Sequence, residues 1–504
     1  MTTPQQAYQE LLGRAREIAL LRSISGVLTW DRETYMPPRG ASLRAEQSAY
    51  LAGVIHRKWI DPRVGEWLAI AEADGLAADP ESDVAANLRE WRRDYDRATK
   101  VPPELVEEIS RLSVLAQTTW SEARQKADFR IFRPHLAQHV ELARQVAACI
   151  GYTESPYDAL LDEYEPGLTA ARVRSLFTAL RDELVPLVQA IVASPRQPRT
   201  EIIHRHFPLD RQKIFGEAAA AAFGYDFQAG RLDTVTHPFC MGIGPGDVRI
   251  TTRYTADYFN EAFFGILHEA GHGLYEQNLP AEAFGQPIGE ACSMSIHESQ
   301  SRLWENFVGR SRPYWEHFFP RAQQTYPAAL GDVDLDDFYF AINAVSPSFI
   351  RIEADEVTYA LHIMVRFEIE QPLIEGHLSV DDIPAVWNET FERYLGLKVP
   401  NDALGCLQDI HWSFGGFGYF PSYALGTLYA GQFFAAAHRD LPDLDDQIRR
   451  GYFAGLLDWL RHHIYRHGRR YRTAELIEQA TGRPPSHEPL TRYLRAKFGE
   501  LYAL

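Results

Sequence analysis

The chain has 504 residues, 45% hydrophobic and 24% charged, with 51 Lys and Arg against 68 Asp and Glu for a formal net charge of -17. This is a globular composition. The acidic balance, with no Lys/Arg block, argues against a nucleic-acid partner, and no apolar run is long enough to cross a bilayer.

A chain of this length exceeds the size at which one core keeps growing, so either two lobes around a cleft or one large multi-layer helical body is expected. No linker, repeat or low-complexity tract divides it, and a single domain over 1–504 is expected. Cys149, Cys240, Cys292 and Cys406 form no Cys-x-x-Cys pair and read as small buried hydrophobes rather than thiolate ligands or a disulfide framework.

The opening Met1-Thr2-Thr3-Pro4-Gln5-Gln6 lacks the basic and apolar regions of a secretory leader, so a cytoplasmic location is expected. Glu104 to Leu112 carries helical periodicity, as does the series Val173, Leu176, Leu180, Leu184 and Leu187, with a helix end expected near Gly151. After the Gly244-Pro245-Gly246 turn, Val248, Ile250, Thr252 and Tyr254 alternate with polar residues, which predicts a strand. Its edge would either bind an extended peptide by strand addition or belong to a structural hairpin. Further on, Ser379 and Asp382 have the spacing of a capping box before Ile383 to Trp387, and Gly396 and Gly482 mark further helix ends. The expected fold is mainly α, with a deep cleft and a small β-sheet near the helix that follows the strand.

That helix carries His268-Glu269-Ala270-Gly271-His272. Four residues are slightly more than one helical turn, so both imidazoles leave one face and reach one metal ion, with Glu269 beside them aimed at a water. The spacing predicts a zinc hydrolase of peptidase type. A catalytic zinc usually takes three protein ligands, and the longer signature that ends in a third histidine is excluded, because Tyr275 and Asn278 hold its positions. The stretch from Glu290 to Phe307 offers Glu290, Glu298, Glu305 and His297. Glu298, 26 residues after His272 in an apolar-flanked run, is the best placed of these.

With these motifs in view, the chain resembles the carboxypeptidase Taq family of zinc metallocarboxypeptidases over essentially its whole length. The resemblance runs through His237-Pro238-Phe239, Asp247-x-Arg249-x-Thr251, the zinc pentad, His297-Glu298-Ser299-Gln300, Ile350 to Asp355, and Gly405 to Trp412. Further similarity lies in Leu28 to Pro38 and Tyr157 to Gly167. It implies Glu298 as third ligand, broad specificity for peptides with a free C-terminus, and a homodimer.

Zinc on neutral His268 and His272 with the Glu298 carboxylate would acidify water and polarise the scissile carbonyl, and Glu269 would relay the proton to the departing amine. Cobalt or manganese suits the same donors. His411 and Tyr423, in a glycine-rich aromatic segment, are the candidate oxyanion donors, with Tyr419 competing. A free carboxylate suits arginine's planar fork, which points to Arg351 first and Arg249 second. Asp355, one turn from Arg351, is the alternative structural partner, and His237 either lines the cleft or caps a turn. The rival functions are a dipeptidyl carboxypeptidase or oligopeptidase on the same site, and a helical protein that holds zinc or peptide without turnover.

Overall fold

The computed structural model describes residues 2–73 and 75–504. Helices dominate, and one three-stranded sheet is present among the described residues. The elements used below are α1 (Pro4–Thr34), β1 (Leu232–Thr234), β2 (Cys240–Gly244), β3 (Asp247–Thr252), α2 (Phe259–Gln277), α3 (Met294–Arg302) and α4 (Tyr359–Glu375). The chain divides into two compact units, one formed by Met1–Thr99, Arg199–Ile342 and Phe433–Pro484, the other by Lys100–Pro198, Asn343–Gln432 and Pro485–Leu504.

In the first unit, α1 starts at a complete capping box in which Thr3 and Gln6 satisfy each other's backbone N–H, with Pro4 at the first helical position. The sheet has the order β1-β3-β2, with β1 parallel and β2 antiparallel to β3. The predicted strand is therefore the central one and ends at Thr252, short of Tyr254. Both its sides are hydrogen-bonded within the sheet, which excludes strand addition to it and agrees with the alternative of a structural hairpin, formed with β2; β1 and β2 are the outer strands. Alternation along β2 sends Met241 and Ile243 toward Gly26 of α1, both 3.7 Å from a Cβ placed there, and Gly242 toward α2. The N-terminal half of α2 is buried among aromatic rings, with Phe259 and Phe263 packed on Phe215 and Trp315.

In the second unit the helix Ala170–Ala193 buries all five residues of its predicted apolar series, and Pro103–Lys126 covers the other periodic stretch. Gly151 and Gly396 end their helices at φ 89 and 71, and Gly482 of the first unit does so at φ 76, as helix-terminating glycines do. Ser379 does cap, but its Oγ accepts from Asp381 N, one residue tighter than a capping box, and starts a 3-10 turn before the helix Ile383–Leu395. All four cysteines are free; Cys292 and Cys406 are buried as expected, while Cys149 and Cys240 are half-buried. Among the described residues no helix is long and apolar enough to cross a membrane.

Candidate metal centre

The sequence places His268, Glu269 and His272 on one stretch of α2, and packing brings α3 to them. Gly271 allows this approach, since a Cβ there would lie 2.6 Å from both Gln300 O and Ser301 Cα. Ser293 starts α3 by accepting from Ile296 N, and α3 runs on into a π-helical turn, Leu303–Gly309, that carries Glu305. Glu298 Oε2 thus lies 3.6 Å from His268 Nε2 and 3.4 Å from His272 Nε2. Tetrahedral zinc with bonds of about 2.0–2.1 Å sets its ligand atoms about 3.3 Å apart, so this donor set fits such an ion. These three residues are the group suited to hold a metal among the described residues.

Each remaining candidate from the sequence also finds a place. Glu305 Oε2 accepts from His268 Nδ1 at 2.9 Å, and His297 Nδ1 faces His272 Nδ1 at 2.5 Å, so both contact the histidines of this group from outside it. Glu290 instead pairs with Arg469 at 3.1 Å. Arg302 bridges Glu298 (2.7 Å) and Glu305 (3.1 Å). Glu276, which the sequence reading passed over, accepts from His297 Nε2 at 2.8 Å. Its spacing of four from His272 on one helix face was the available signal.

Electrostatics suit ligation and proton transfer. Burial lowers His272 to about 3, keeping it neutral as a ligand must be. Burial opposes ionisation of Glu298, but Arg302 and the two histidines hold it well below the usual carboxylate range. Burial pushes Glu269 up to about 7, and its Oε2 is buried without a hydrogen-bond partner in the chain. A bound divalent cation would add a field favouring the ionised base.

The substrate-side candidates fall into different settings. Arg249 pairs with Asp247 through two 2.7 Å bonds and lies over the Trp30 ring, and His237 is exposed. In the second unit Arg351 is buried, and its Nε and Nη2 donate to Asp409 Oδ1 at 3.1 and 2.8 Å, while Nη1 donates to Tyr359 Oη at 3.2 Å. The expected Asp355 contact does not form; Asp355 accepts from Val357 N and Thr358 N at the start of α4, where orphan N–H groups need a cap. Asp409 also takes Arg366; this carboxylate, two residues before His411, was not anticipated as the partner of Arg351. His411 and Tyr423 come together, ring centroids 6.5 Å apart, with Arg351 5.1 Å from the Tyr423 ring and Tyr419 5.4 Å from it. Burial lowers His411 to about 4, and its Nδ1 has no hydrogen-bond partner in the chain.

A helix-borne His-Glu-x-x-His with a glutamate from a second helix defines a metallopeptidase-type centre in a mainly helical fold. Residues 10–498 match the Carboxypeptidase Taq (M32) metallopeptidase family, and the chain belongs to it. It is 47% identical to thermostable carboxypeptidase 1 of Thermus thermophilus, covering 99% of this chain and 100% of that one. Carboxypeptidase 1 of Bacillus subtilis is 39% identical over 98% of this chain and 99% of its own. The solved M32 carboxypeptidase of Deinococcus radiodurans superposes with a TM-score of 0.96 at 40% identity, covering 99% and 100% of the two chains. The protein is thus a metallocarboxypeptidase, a peptide hydrolase.

Proposed function

We propose that the enzyme holds zinc on His268, His272 and Glu298 and releases single residues from the C-terminus of peptides, with broad specificity and Glu269 as its general base. The carrying observation is the buried Glu269 carboxylate, with one oxygen unpartnered, beside three donors that all lie within 4.8 Å of one another. When bound, zinc supplies Lewis-acid polarisation of the scissile carbonyl and lowers the pKa of water.

Glu269 takes the proton of the attacking water at its free oxygen and delivers it to the departing amine. His411, neutral because of burial, and Tyr423, whose phenol burial keeps protonated, donate hydrogen bonds to the developing oxyanion. Arg351 receives the terminal carboxylate, with Arg249 as the second candidate and His237 as a further substrate contact. A cytoplasmic location and a homodimer complete the reading, the homodimer resting on the family resemblance.

The test is amino-acid release from an unblocked peptide and its C-terminally amidated twin, before and after chelation and zinc restoration. Single residues from the free peptide only, lost with the metal and recovered with zinc, are expected. Equal cleavage of both peptides would point to an endopeptidase and strip Arg351 of its carboxylate-binding role.

A further inference from the structure

The two histidine ligands are supported differently. His268 Nδ1 meets the Glu305 carboxylate directly, and that charge is already shared with Arg302 and Arg310 at 3.1 and 3.5 Å. His272 Nδ1 meets another imidazole. At 2.5 Å the two Nδ1 atoms must share one hydrogen, because two lone pairs or two N–H groups would repel. With His272 Nε2 turned to Glu298, the hydrogen belongs to His272, His297 Nδ1 accepts it, and the His297 proton sits on Nε2, which donates to Glu276 Oε1 at 2.8 Å. Among the described residues Glu276 pairs with no arginine or lysine, so its carboxylate is directed to His297.

The strand beside α2 makes room for the device. A Cβ at Gly242 of β2 would lie 2.4 Å from Glu276 Oε2, the end of a flexible side chain. A methyl group there would move Glu276 off His297 without forcing backbone apart.

We propose that His297 and Glu276 are positioning residues that fix His272 as an Nε2 ligand, and that Gly242 supplies the space in which Glu276 reaches His297. This rests on the reading of His268, His272 and Glu298 as the metal ligands.

The experiment is zinc affinity by chelator competition, and the visible spectrum of the cobalt-loaded protein, for Glu276→Leu, Glu276→Gln, His297→Phe and Gly242→Ala, with His272→Ala as control. Glu276→Leu and His297→Phe should weaken zinc binding by about 10- to 100-fold, as loss of outer support to a ligating histidine does. Gly242→Ala should act in the same direction, with metal-free melting unchanged, and all three should shift the cobalt bands. Glu276→Gln, which keeps an acceptor without the charge, should recover part of the loss. Affinities within about twofold of wild type in all variants, with superimposable cobalt spectra, would overturn the proposal. A wild type that holds one zinc, lost in His272→Ala, upholds the metal site even in that case; a wild type that binds none removes the metal site itself.

Discussion

Replacing Asp409 by Asn tests the electrostatic core of the second unit. The Asp409 carboxylate accepts from Arg351 Nε and Nη2 on Oδ1 and from Arg366 Nε at 2.7 Å on Oδ2. The Arg351 and Arg366 side chains are 7% and 0% exposed, so two guanidiniums depend on one anion with almost no water to replace it. Asn keeps one acceptor oxygen, loses the charge, and turns an NH2 group toward a donor. Removing one partner of a buried pair costs about 3–5 kcal/mol, because the remaining charge is left uncompensated. At about 2–4 °C per kcal/mol for a unit of roughly 200 residues, the second unit's thermal transition should fall by about 6–20 °C. Calorimetry of the metal-loaded protein measures this. Adding Arg366→Met to Asp409→Asn should recover part of the loss by removing one of the two stranded cations. A transition within about 2 °C of wild type in Asp409→Asn would refute the dependence of both arginines on this carboxylate.

Glu269→Gln should retain stoichiometric metal while kcat/KM falls by several orders of magnitude, measured by metal analysis beside peptide turnover. Gly271→Ala should destabilise by about 1–3 kcal/mol in urea unfolding and weaken metal binding, because its methyl group meets the α3 backbone rather than a movable side chain. Burial lowers His139 to about 4 while its Nε2 donates to Ser413 O at 3.0 Å, so the folded state binds fewer protons than the unfolded state between pH 4 and 6.5. The stability it contributes is full above about 6.5 and lost as pH falls, so the advantage of wild type over His139→Gln should shrink by about 2 kcal/mol between pH 7 and 5 in paired urea titrations. Arg351→Lys should raise KM for free-carboxylate peptides more than Arg249→Lys does; the reverse order in steady-state kinetics would transfer the carboxylate role.

What could be read from sequence followed the range of the interaction. The two histidines and Glu269 sit within five residues, where helix geometry alone decides which side chains share a face. The same holds for the apolar series from Val173 to Leu187 and for the glycine helix ends. Glu298 needed more: its spacing from His272 allows a returning helix, but only the packing of α3 against Gly271 brings its oxygen to 3.4 Å of His272 Nε2. The strand at Asp247 was legible, yet its central position was not, because order in a sheet depends on partners whose own patterns, three and five residues long, are too short to read. Arg351 shows the limit most clearly. Its near neighbour Asp355 was the natural partner by helical spacing, but the helix begins only at Tyr359, and the helix-start N–H groups claim that carboxylate first.

Charge arithmetic separates the two candidate arginines. Arg249 and Asp247 form a one-to-one pair with both guanidinium edge bonds satisfied, and their side chains are 21% and 38% exposed, so water already compensates what the pair leaves over. An incoming carboxylate gains little there, since it must displace an equivalent anion. Arg351 and Arg366 divide a single carboxylate, and Glu370, which accepts from Trp412 Nε1 at 2.7 Å on the same α4 helix, is raised to about 7 by burial and so is weakly available as a second anion. The arginine pair therefore keeps positive character in a dry setting, where a charge-assisted bond is stronger than at the surface. One hydrogen on each terminal nitrogen of Arg351 is not used by Asp409 or Tyr359. A guanidinium held rigid by Asp409 is pre-organised for a second carboxylate, so the structural ion pair and carboxylate recognition are compatible roles for the same residue.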